Sequence, residues 1–237
     1  MENRVIRVAR RFNGPPDSAN GGYVCGLVCE AIGEDVTVRL LAPPPLDTDL
    51  QVLPHPETEG RWLVVHGGKP IIEARRENLD IPVPPTVGYI EALDAAVHAP
   101  DPGHHPCPGC FVCGTGRARG DGLRLFAGRV PDRDDVVATA WLPASEFCGD
   151  DGKVAPAIIA AALDCPGFHA MQTGMRLWLL GEYHCRIDRR VHAEEPCVIV
   201  GWKREGRGRR WEVGTALYDE DGELCAVARG TWIEPRS

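Results

Sequence analysis

Between Asp17 and Gly33 the only charged side chain is Glu30, and Tyr23, Val24, Leu27, Val28, Ala31 and Ile32 cover most of a helical circumference. The pattern predicts one helix, capped by Asp17 or Ser18 and ended by Gly33. A helix apolar on nearly every side has no face for water, so something must wrap around it. Its first turn holds Asn20, Gly21 and Gly22. Glycine costs a helix about 1 kcal/mol relative to alanine, so a pair of them there needs a reason. Two are open: close packing of a neighbouring strand, or approach of a ligand oxygen to the free N–H groups of that turn.

Alternating segments predict strands at residues 5–12, 36–41 and 49–53, and a hairpin of 61–66 with 70–75 around Gly67 and Gly68. Residues 89–98 read as a short helix. The second half repeats the order. Strands at 122–130 and 136–142 precede a second apolar helix at 154–166, with Pro156 suited to its first turn. A meander follows at 177–187, 197–203, 210–218 and 224–233. Arg61, Trp62 and Val64 open one hairpin as Arg210, Trp211 and Val213 open another. An internal duplication follows, with units at 1–98 and 117–237 and a linker at 99–116, rich at its start in Pro, Gly and His.

Composition narrows the function classes. The 237 residues carry a net charge of −8, which gives no reason to expect nucleic acid or an anionic membrane as partner. No apolar run approaches the roughly 18 residues of a membrane span, and Met1 to Arg4 do not read as a signal peptide. The ten cysteines are scattered, several of them (Cys25, Cys29, Cys165, Cys225) inside apolar segments. That is the usage of reduced thiols as small hydrophobes, and a cytoplasmic setting is expected.

Cys110, Phe111, Val112, Cys113 and Gly114, followed by Gly122, Leu123, Arg124 and Leu125, resemble the opening of many hotdog thioesterases of the phenylacetyl-CoA type. An apolar helix swaddled by an antiparallel sheet is the hotdog fold, and two in tandem resemble the double-hotdog acyl-CoA thioesterases. The expected class is therefore α+β, a tandem hotdog of two antiparallel sheets, each wrapping a long apolar helix. In that family the helix opens with His-Gly-Gly and carries a catalytic Asp nine residues after the His. Here Asn20, Gly21 and Gly22 match the opening with Asn for His, but nine residues on stands Cys29. The second helix opens with Ala155, Pro156 and Ala157, lacking both glycines, and nine residues on stands Asp164. The resemblance implies one composite site, with the Gly turn from one half and the carboxylate from the other. The symmetric location, bordered by Cys29 and Ala157, is expected to lack both.

The Gly22 N–H, assisted by Gly21 or Tyr23, would polarise a thioester carbonyl at the positive end of the first helix. Asp164 would activate water or attack directly. Asn20 either orients the carbonyl or water, or only caps the helix. The expected activity is hydrolysis of an acyl-CoA or related thioester. The alternatives are a non-catalytic protein of the same fold binding an acyl or aromatic ligand, and a hydratase, for which neither helix core offers a His. No metal or cofactor is expected: Cys107, Cys110 and Cys113 with His104 or His105 have a zinc-like spacing, but no second CxxC follows. Cys165 reads as a core residue before a nucleophile, Glu182 as a weak second acid, and the basic run 203–210 as a solvated hairpin tip before a phosphate contact. A homodimer of two such chains is compatible with all of this.

Overall fold

In a computed structural model, described for residues 4–99, 105–171 and 176–236, eleven strands pair antiparallel into one sheet. They are β1 (Arg4–Arg7), β2 (Val36–Leu40), β3 (Asp49–Pro54), β4 (Arg61–His66), β5 (Lys69–Arg76), β6 (Gly128–Val130), β7 (Arg133–Trp141), β8 (Leu179–Ile187), β9 (Cys197–Arg207), β10 (Arg210–Tyr218) and β11 (Leu224–Ile233). Across the sheet the order is β1-β3-β4-β5-β2-β8-β11-β10-β9-β7-β6. Apart from β6, the halves read as mirror images: each runs first, third, fourth, fifth, second strand from its outer edge to the middle. The two separate sheets expected from the sequence are thus joined. At the seam Val38 pairs with Tyr183 and Arg39 with Glu182. Arg75 on the adjacent β5 binds Glu182 through both terminal nitrogens, at 2.9 and 3.2 Å. Pairing β2 with β8 satisfies two rows of backbone groups that would otherwise be open edges.

Among the described residues, four α-helices accompany the sheet: α1 (Gly21–Ile32), α2 (Tyr89–Val97), α3 (Pro156–Ala162) and α4 (Cys165–Ala170). Helix α2 covers the outer face of the C-terminal strands, where Ala92 and Ala95 join Val136, Ala138, Val198 and Val200 in a core of their own. On the other face, α1 and α3 run antiparallel and nearly touch. A Cβ on Gly26 would lie 2.6 Å from Ala157 Cα, and one on Gly22 would lie 2.5 Å from the Ala160 carbonyl oxygen. Gly22 therefore packs closely on helix α3, while its neighbour Gly21 packs on strand β8, where a Cβ would lie 2.7 Å from Leu180 Cδ2.

The cap of α1 is Asn20, one turn later than the Asp17 or Ser18 expected: its side chain accepts the Tyr23 N–H at 2.9 Å. Gly33 ends the helix in the left-handed region, at φ 87°, with its N–H on the Cys29 carbonyl. The single second helix expected over 154–166 is broken. Pro166 has no N–H to offer the Ala162 carbonyl, and the next carbonyl along, that of Leu163, accepts from Thr215 Oγ1 at 2.7 Å. Asp164 sits in the break.

Two expected strands are shorter than predicted. The segment 5–12 is strand only to Arg7 and then forms a 3-10 turn, Arg10–Phe12. Of 122–130 only Gly128–Val130 joins the sheet. Its earlier part bonds to the CxxCG segment, Leu123 N–H to the Phe111 carbonyl and Leu125 N–H to that of Val112, both at 2.9 Å. Part of the expected linker is consequently core: Cys110, Phe111, Val112 and Cys113 are buried. Residues 100–104 of it lie outside the described residues.

Candidate functional site

The break between α3 and α4 turns Asp164 toward the first turn of α1. Its Oδ2 accepts the Gly22 N–H at 3.0 Å and the Asn20 side-chain N–H at 2.8 Å. Asn20 thus does two jobs, capping α1 with its Oδ1 and holding the carboxylate with its Nδ2. Residues 142 positions apart in sequence share one hydrogen bond. The other carboxylate oxygen, Oδ1, is buried with no partner among the described residues. Burial pushes the Asp164 carboxyl up to about 7; charge on Cys110 adds to the rise, while the bonds from Gly22 and Asn20 oppose it.

With Gly22 N–H committed to Asp164 and Tyr23 N–H to Asn20, Gly21 has the remaining free donor of the turn. Its N–H makes no hydrogen bond among the described residues, and Gly21 lines a cavity of about 430 Å³. The Gly22 N–H is thus occupied by the carboxylate, while the Gly21 N–H stays free at the positive end of the helix. Tyr23 does not line the cavity. Its ring stacks on Phe12, centroids 4.1 Å apart.

Asn20, Asp164 and Cys165 join Gly21 in the cavity wall, which is otherwise mostly apolar, with Leu40, Leu177, Leu180 and Phe168. Trp178 and Trp232 are also part of the wall, and their Nε1 atoms are buried and unpaired among the described residues. Nothing in the sequence spacing singled out these tryptophans; they come from β8's approach and from β11.

The symmetric end of the helix pair departs from expectation. It does have a carboxylate, from Glu30 and not from Cys29: Glu30 Oε1 accepts the Ala157 N–H at 3.1 Å. Glu30 is exposed, and the residue before Ala157 is Pro156, which has no N–H. Glu182 is held by Arg75 at the seam and does not line the cavity. The basic run forms an exposed hairpin tip between β9 and β10.

The cysteines regroup in space. Cys107 stays apart, while Cys110 and Cys113 meet Cys165, and Cys113 also meets His105 and His169. His104 lies outside the described residues. Burial, helped by the charge of His105, holds His169 down at about 4.

Comparison with solved structures bears on the fold. The tesB protein of Mycobacterium avium subspecies paratuberculosis is similar over 98% of this chain and 92% of its own, at a TM-score of 0.64 and 13% identity. A thioesterase candidate from Novosphingobium aromaticivorans is similar over 98% of this chain and 95% of its own, at a TM-score of 0.59 and 14% identity. The chain has the hotdog fold. No family model matches it, and neither does any curated protein. Identities this low carry the hotdog fold and leave the chemistry to the site. No helix among the described residues is long and apolar enough to cross a membrane.

Proposed function

We propose that this protein is a double-hotdog thioesterase, hydrolysing an acyl-CoA or related thioester at one composite site between units at 1–98 and 117–237. One observation carries the reading: a buried carboxylate from the C-terminal half is held by Gly22 and Asn20 of the N-terminal half, beside a cavity lined by Gly21, whose N–H is unpaired among the described residues. The names borne by proteins of this fold make thioesters the first substrate class to test.

In this reading the Gly21 N–H, at the positive end of α1, stabilises the charge that grows on the thioester oxygen. Asp164 supplies the base or the nucleophile through Oδ1, the oxygen without a partner. With its carboxyl raised to about 7, it is a far better proton acceptor than an ordinary carboxylate and still partly ionised near neutrality. Activating a water gives the acid and free thiol directly. Direct attack gives a mixed anhydride that water then opens, with the same products. The apolar wall accommodates the acyl group.

The test is a panel of acyl-CoAs assayed with the native protein and with Asp164→Asn, which keeps the size of the side chain and removes its basicity. Loss of roughly 10²–10⁴ in kcat/KM is expected. Native protein that binds acyl-CoA without turning over any member of the panel would replace this reading with a ligand-holding one.

A further inference from the structure

Three thiols distant in sequence converge beside the cavity. Cys110 and Cys113 come from the CxxCG turn and Cys165 from the first position of α4; their sulfurs lie within 4.8 Å of one another, and Cys110 Sγ is 3.8 Å from Cys165 Sγ. All three are buried, and all three line the cavity. Zinc–sulfur bonds of about 2.3 Å at tetrahedral angles hold two sulfurs about 3.8 Å apart. The Cys110–Cys165 pair already has that spacing.

Two imidazoles surround the thiols, and their protonation follows from the backbone. Cys107 N–H donates to His105 Nδ1 at 3.0 Å, and Ala127 N–H donates to His169 Nδ1 at 3.1 Å. A backbone N–H can only donate, so each neutral ring carries its proton on Nε2. Neither Nε2 then has a lone pair for a metal; both are donors. His105 Nε2 is 3.2 Å from Cys113 Sγ, and His169 Nε2 is buried without an acceptor among the described residues. A cysteine that merely fills core space leaves such a donor unsatisfied, whereas a metal-bound thiolate is an acceptor for it.

We propose that Cys110, Cys113 and Cys165 bind a zinc ion as three thiolates, with His105 and His169 directing Nε2–H groups at the thiolate sulfurs and the fourth metal position on the cavity side. Each thiol loses its proton to solvent as its sulfur lone pair goes to the ion, with no change of oxidation state. The CxxCG spacing suggested zinc but offered too few ligands; the third comes from Cys165, brought in by the α3–α4 break, and Cys107 has no part. The inference is independent of the hydrolase reading, because metal content is read without substrate.

The experiment is zinc analysis of the purified full chain after incubation with zinc and removal of excess, with X-ray absorption at the zinc edge. One zinc per chain is expected, bound by three sulfurs at about 2.3 Å and one oxygen or nitrogen. Cys165→Ser should lose it, Cys107→Ser should keep it, and His169→Ala should weaken zinc affinity roughly 10–100-fold. The absorption spectrum of the native chain is decisive even where a variant fails to fold. Substoichiometric zinc, fewer than three sulfurs on the ion, a Cys110–Cys165 disulfide in the isolated chain, or full retention by folded Cys165→Ser would each overturn the proposal.

Discussion

At one end of the α1–α3 pair Asp164 accepts the Gly22 N–H at 3.0 Å, and at the other Glu30 accepts the Ala157 N–H at 3.1 Å. Gly22 and Ala157 are both second residues of their helices, so the two bonds are the same pairing of a carboxylate with a positive helix end. Everything around them differs. Asn20 stands before the first helix with a second donor for the carboxylate, while Ala155 stands before the second with none. The first helical residue is Gly21 in one case, with a free N–H, and Pro156 in the other, with no N–H at all. Asp164 is buried against a cavity and Glu30 is exposed. A carboxylate on a helix N-terminus is thus a structural pairing that either half supports; burial, a spare donor and a space for substrate are what distinguish the candidate site.

The largest test of that contrast copies Pro156 into the first end. Asn20 already has the extended backbone, φ −61° and ψ 132°, that a following proline requires, and proline is well placed at a helix's first position. Gly21→Pro should therefore keep the helix, remove the free N–H and cost roughly 10²–10³ in kcat for thioester hydrolysis. Gly21→Ala is the control. It brings a Cβ to the same place, 2.7 Å from Leu180 Cδ2, and keeps the donor. Equal losses in the two variants would mean that crowding, not the N–H, matters.

A smaller effect is expected on stability. The Asp164 carboxyl is raised by burial to about 7 in the folded chain from 3.8, so the folded state holds its proton more tightly than the unfolded state. Its contribution is fully present below about pH 4 and is lost as pH rises through about 7. Asp164→Asn should then be more stable than the native chain by about 1–3 kcal/mol at pH 8, with the gap closing near pH 4, as read by denaturant unfolding. An unchanged gap across that range would show that the carboxyl titrates normally. The least effect is expected at the other end: Glu30→Gln and Cys29→Ala should leave hydrolysis within about twofold and stability within about 0.5 kcal/mol.

Much of this was legible in the chain. Gly33 marks the end of α1, the 61–66, 210–218 and 224–233 strands stand where alternation puts them, and the resemblance to the hotdog thioesterases, with its nine-residue spacing, puts Asp164 forward as the partner of the Gly turn. What was hidden depends on contacts made after folding. Which N–H of the Gly turn stays free is set by the approach of the α3–α4 break, where Asp164 takes Gly22 and leaves Gly21. Spacing points at Cys29, one residue short of Glu30, the side chain that reaches the Ala157 N–H. The joining of two sheets rests on two residue pairs, Val38 with Tyr183 and Arg39 with Glu182, and neither strand differs in pattern from an ordinary edge. The meeting of Cys165 with the CxxCG turn needed Pro166 to break a helix that the apolar pattern alone would have continued.

The most direct measurement of the central claim is the pH dependence of kcat/KM for acyl-CoA hydrolysis by the native chain, from about pH 5 to 9. If the ionised Asp164 carboxylate is the reacting group, kcat/KM should fall about tenfold per unit on the acid side of a limb near pH 7, and residual turnover by Asp164→Asn should lack that limb. A limb near 4, or one near 7 that persists in Asp164→Asn, would contradict the account.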